Sequence, residues 1–140
     1  MKGVLSRLQS IRELKKKQAW LELIESERLR EEQYTHLTAL EAEVAAVRTV
    51  ADIEEAGWAA YRHSWCLQME MRRRRAEESL AERTKKREDD RVLLESARRE
   101  ARTIGLVLER IERDEAIEAR REEGRRNDEI GTMSWWRVSG

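Results

Sequence analysis

His63 and Cys66 lie three residues apart, a spacing that sets an imidazole and a thiol on one face of a helix and makes them the chain's nearest approach to a metal or thiolate site. A metal centre needs further ligands, and the other histidine, His36, lies too far from the pair to complete one. Packing among the neighbouring aromatic residues is the simpler role. Cys66 is the only cysteine, so no intramolecular disulfide framework forms, which fits a reducing cytoplasm. Neither a phosphate-binding glycine loop nor a His-Glu-x-x-His zinc motif occurs, and the six glycines stand singly at 3, 57, 105, 124, 131 and 140. Catalytic, cofactor-binding and metal residues are therefore all assigned as none. Two basic runs, Lys15 to Lys17 and Arg72 to Arg75, carry the residue types that bind phosphate. Acidic residues follow each run closely, and a helix spreads consecutive residues around its circumference, so a solvated, charge-paired face is expected and nucleic acid is not.

The elements that position these residues follow from composition. The 140 residues hold 29 basic and 29 acidic side chains, with 39% apolar, 5% aromatic and no proline. That is too polar for a globular core and is the mark of long helices, which proline would break. Zero formal net charge argues against a general nucleic-acid or membrane-surface binder. The N-terminal residues lack the apolar stretch of a signal peptide, and apolar runs such as Val44 to Val47 are far too short to span a bilayer. A soluble, cytoplasmic protein with no direct membrane insertion is expected.

Gln33, Leu37, Leu40, Val44, Val47 and Ala51 alternate spacings of four and three, the seam of a coiled coil. Leu94, Ala97, Ala101, Ile104, Leu108 and Ile111 repeat it, and Leu80, Ala76, Trp65 and Trp58 extend that face backwards less regularly. Each stripe is too narrow to be stable alone and needs the other. The fold class is all-α: a long antiparallel two-helix coiled-coil hairpin with a C-terminal helical overhang. Helix one is expected over about 4–50, a turn over about 51–57, where Asp52 caps and Gly57 gives backbone freedom, and helix two over about 58–130. Residues 1–131 form a single hairpin domain and 132–140 an aromatic tail. At 1.5 Å per residue helix one spans ~70 Å and helix two ~100 Å, so helix two overhangs. Pairing outward from the turn sets Val47 near Arg62 and Leu8 near Ala101, with the overhang starting near Leu106. Charge pairs at four-residue spacing, Arg73 with Glu77, Arg74 with Glu78 and Glu82 with Lys86, support the solvated face.

Three groups of residues ask for a partner. Trp58, Tyr61 and Trp65 make an aromatic stripe just after the turn, where small residues such as Ala45 and Ala46 stand opposite; docking surface and plain core are the competing roles. Arg121, Arg125, Arg126, Asp128, Glu129 and Ile130 lie on the overhang, where helix one supplies no neighbours. Trp135 and Trp136 follow Gly131, and as adjacent residues they cannot both face one seam; they read as a terminal anchor against the simpler frayed end. Trp20 stands alone in helix one and supports no argument.

Over nearly its whole length the chain resembles the FliJ/YscO family, the coiled-coil stalk proteins of bacterial flagellar and type III secretion export ATPases. Trp58-Ala59-Ala60-Tyr61 looks like the family's Trp-x-x-Tyr segment, and Arg121 to Ile130 looks like its basic run followed by Asp-Glu and an apolar residue. The resemblance implies that the terminal end enters the ring of a hexameric export ATPase and that the turn end faces the cytoplasmic domain of an export-gate membrane protein. It also implies an escort role for export chaperones and a place peripheral to the inner membrane. Gly124, expected to interrupt the last helix, and the Trp135-Trp136 pair depart from the pattern. The expected function is a non-enzymatic stalk and adaptor, with no cofactor. Its rivals are a generic self-associating coiled-coil scaffold, separable by oligomeric state, and a metal or redox sensor using His63 and Cys66, separable by metal content and thiol reactivity.

Overall fold

The computed structural model describes residues 2–50 and 56–139, and at 49, 50, 56–60 and 139 the backbone alone. Two helices account for all of them, α1 (Lys2–Val50) and α2 (Ala56–Ser139), packed antiparallel as a helical hairpin. The chain lacks proline and is rich in strong helix formers, so nothing inside either element opposes the helical backbone. α2 passes without interruption through Gly124 and Gly131. The break expected at Gly124 and the helix end expected at about 130 are thus both corrected. A glycine costs about 1 kcal/mol against alanine inside a helix, too little to stop one flanked by good helix formers such as Arg121 to Glu123 and Arg125 to Arg126. Gly57 already belongs to α2, while Asp52 and the rest of the expected turn lie outside the described residues.

The chain forms two compact units, Lys16–Ser96 and Met1–Lys15 with Ala97–Gly140. In the first, Leu37, Leu40, Met69 and Ala76 are buried together, with Val44, Trp65 and Leu80 packed against them. Leu37, Leu40 and Val44 are seam residues of α1 and Ala76 and Leu80 of α2, so this part follows the apolar periodicity. Away from the cluster the seam turns polar. Ser26 and Asp90 are both buried, and the Ser26 hydroxyl donates to the Asp90 carboxylate or to the Glu22 carbonyl 2.9 Å away. Lys86 Nζ donates to Asp90 at 3.1 Å, Arg30 Nε to Thr84 Oγ1 at 3.1 Å, Arg83 Nη1 to the Leu29 carbonyl at 2.9 Å, and Gln33 Nε2 to the Ala76 carbonyl at 3.2 Å.

This belt departs from the expected pairing at Ser26–Asp90 and Arg30–Thr84, where Arg83 was expected opposite Ser26 and Ser79 opposite Arg30, and keeps it at Gln33–Ala76. In the expected pairing Ser26 would face Arg83 and Asp90 would face Ala19, leaving a buried carboxylate beside a methyl group. Lys86, one turn back on α2, pairs with Asp90 in either register, and the observed one adds the Ser26 hydroxyl as a second partner for the buried carboxylate and brings Arg30 to Thr84. Val44 and Arg48 stand beside Glu70 and Arg73.

In the second unit Ala97, Ala101 and Leu108 are buried, and Ile104, Ile111, Leu5 and Leu8 are half-buried. Arg12 Nη1 and Lys15 Nζ reach Glu100 Oε2 at 2.6 and 3.2 Å. A Cβ placed on Gly105 would meet Gln9 Nε2 at 3.8 Å, so Leu8 stands about a turn beyond Ala101 along α2. Among the described residues the outermost ion pair between the helices here is Lys2 to Glu115, at 3.2 Å. The overhang therefore begins after Glu115 and not at Leu106.

Candidate partner-binding surfaces

Every residue from 112 to 138 is exposed, and among the described residues none of α1 lies past the Lys2–Glu115 pair to cover the rest of α2. Helicity persists along this bare stretch because elongating a formed helix avoids the cost of nucleating a new one. Arg121 and Arg125 share a face as the spacing requires: Arg121 Nη1 is 4.0 Å and Arg125 Nη2 3.5 Å from the Glu118 carboxylate. Arg126 Nη2 reaches Glu122 at 3.5 Å, and the Asp128 carbonyl accepts from the Thr132 hydroxyl at 2.9 Å. These contacts stay within one helix and leave the guanidinium groups open to solvent. Ile130 is 62% exposed, and Trp135 and Trp136 are 63% and 67% exposed. The two indoles meet edge to face, with ring centroids 5.5 Å apart and planes at 84°. Together with Met133 and Val138 they form an apolar end on an otherwise charged helix.

The aromatic stripe near the turn is divided. Tyr61 is 59% exposed, whereas Trp65 is half-buried against the Leu37, Leu40, Met69 and Ala76 cluster. The Trp58 side chain lies outside the described residues. Ala45 and Ala46, expected opposite the stripe, are exposed.

His63 is exposed and Cys66 is a half-buried free thiol. Among the described residues no three His, Cys, Asp or Glu side chains converge as metal ligands, and no helix is long and apolar enough to cross a membrane. The ion pairs rearrange in part. Arg73 meets Glu77 at 3.9 Å as expected, but Arg74 turns back to Glu70 and Lys86 forward to Asp90, away from Glu78 and Glu82. The Arg73 hydrogen bond, opposed by burial and aided by the charges of Arg73 and Arg74, holds the Glu70 carboxyl below its ordinary range. Lys15, by hydrogen bond, does the same to Glu100, with burial opposing and the Arg12 and Lys15 charges adding.

Two features escape a search for apolar seams. Ser26 and Asp90 occupy heptad positions, which their spacing from Leu23, Leu37 and Leu94 would have revealed. Val4, Ile11 and Leu14, at spacings of seven and three, make an exposed apolar row on α1 out of phase with the buried seam.

An all-α coiled-coil hairpin whose second helix ends bare, charged and then aromatic is the class of protein this geometry defines. The chain matches, over residues 1–140, the family model described as Flagellar FliJ protein, and it belongs to the FliJ family. It is thus a coiled-coil protein of flagellar export, from a family of non-catalytic export components. Comparison with curated proteins and with solved structures returns no match.

Proposed function

We propose that the protein is the stalk of the flagellar export ATPase. The bare part of α2, with Arg121, Arg125, Arg126, Asp128, Glu129 and Ile130, enters the ATPase ring, and Trp135 and Trp136 anchor its end. The region of Trp58, Tyr61 and Trp65 meets the cytoplasmic domain of the export gate, Tyr61 as the exposed contact and Trp65 as its support. The protein works on the cytoplasmic side, peripheral to the inner membrane, and the remaining helix faces serve to escort export chaperones.

The observation that carries this reading is the full exposure of residues 112–138 in a chain that belongs to the FliJ family. A helix that folding leaves uncovered, yet supplied with arginines in register and a terminal indole pair, is suited to a ring that offers complementary charge. Deletion of residues 119–140 tests it. The hairpin should stay folded by circular dichroism, because its buried seam ends at Leu108 and Ile111. Stimulation of the export ATPase should fall steeply, and the residual binding should depend less on salt. Full stimulation by the truncated protein contradicts the reading.

A further inference from the structure

The run Arg72 to Arg75 is split by the helix into two kinds of arginine. Arg73 Nη2 and Nη1 lie 2.9 Å from Glu70 and 3.9 Å from Glu77, and Arg74 Nε lies 3.5 Å from Glu70. Among the described residues, Arg72 and Arg75 have no carboxylate within ion-pair distance; the recorded contact of Arg72 is to Met69 Sδ at 4.0 Å. Both line a groove of about 490 Å³ between the helices, together with Gln33, His36 and Ser79. Its floor is apolar, made by Leu40 and Ala76, and no acidic residue lines it. Another groove of the same unit, between Glu41 and Arg48 of α1 and Glu70 and Arg73 of α2, carries both signs of charge and is neutralised internally.

We propose that the Arg72–Arg75 groove is a docking site for an acidic helical segment of a partner protein. Arg72 and Arg75 stand on successive turns about 5–6 Å apart at Cβ, a separation matched by carboxylates three or four residues apart on a facing helix. Each guanidinium offers parallel donors for bidentate contact with a carboxylate. Ser79 adds a hydroxyl one turn on, and the Leu40 and Ala76 floor accepts an aliphatic side chain between the acids. Nucleic acid fits less well, because two cations over two turns give only a short phosphate track. The site lies outside the ring-entering stretch, so the inference does not rest on the stalk reading.

The test uses the full chain and a fluorescein-labelled, glutamate-rich helical peptide of about 18 residues with a leucine row, followed by fluorescence anisotropy. A thymidine oligonucleotide of equal charge serves as the comparison. Arg72→Gln with Arg75→Gln should weaken peptide binding about tenfold, whereas Arg73→Gln with Arg74→Gln should change it no more than about twofold. Ser79→Glu, which adds repulsion at the groove edge without removing an arginine, should weaken binding as well. The proposal is overturned if the wild-type chain ignores the peptide, if the two double variants lose binding equally, or if the oligonucleotide binds as tightly as the peptide.

Discussion

Within α2, residues 97–111 and residues 112–138 belong to one helix and are both rich in charge, yet they meet opposite environments. The first stretch buries Ala97, Ala101 and Leu108 against α1, while the second has no buried residue. Helicity is common to both, so it reflects propensity and propagation from the covered part, and cover is what α1 adds. Folding therefore constrains the side chains of the first stretch and leaves those of the second exposed. The apolar residues sharpen the contrast. Leu108 is 6% exposed, and Ile117, nine residues on, is 46% exposed.

The largest expected difference between the two stretches lies in stability. Leu108→Asp buries a charge with no partner and should destabilise the hairpin by several kcal/mol, whereas Ile117→Asp on the bare helix should cost less than about 1 kcal/mol. Thermal melts followed by circular dichroism measure both. Equal losses would mean that residues beyond Glu115 are also covered and would break the comparison.

The same contrast shows how much the sequence disclosed. Leu37, Leu40, Leu94, Ala97, Ala101 and Leu108 were legible as core because three-and-four spacing of apolar residues has few other meanings. The register was not legible, because it depends on which buried polar groups satisfy each other across the hairpin. Ser26 and Asp90 read as gaps in the seam until each is seen to supply the other's partner. Gly124 does not end the helix for a related reason: its propensity penalty is small beside the helix that flanks it on both sides. The exposure of Arg121, Arg125 and Arg126 followed from the unequal helix lengths, which the position of the turn fixes. The division of the aromatic stripe follows the seam face: Trp65, in line with Ala76 and Leu80, lies on the core, and Tyr61, outside that line, is exposed.

A smaller effect probes the covered stretch through its titration. The Glu100 carboxyl is held below its ordinary value of 4.5 by the Lys15 hydrogen bond, opposed by burial and reinforced by the Arg12 and Lys15 charges. Because its folded value is depressed, its contribution is present above the ordinary value and is lost as pH falls through the folded one. The loss should be small, since the Glu100 side chain is 37% exposed and solvent screens the pair. In Lys15→Gln, carboxyl chemical shifts followed by NMR should show Glu100 titrating closer to 4.5. An unchanged midpoint would mean that α1 does not set the charge environment of this part of α2.

The central claim, that the bare stretch and not the covered one enters the export ATPase, is tested most directly by where the ring touches α2. A photo-crosslinking residue placed at Arg125 and, separately, at the exposed Arg98 leaves the buried seam intact in both cases. On illumination with the hexameric ATPase, the first should give a crosslink to the ATPase and the second should give little or none. Crosslinking at Arg98 with none at Arg125 would contradict the account.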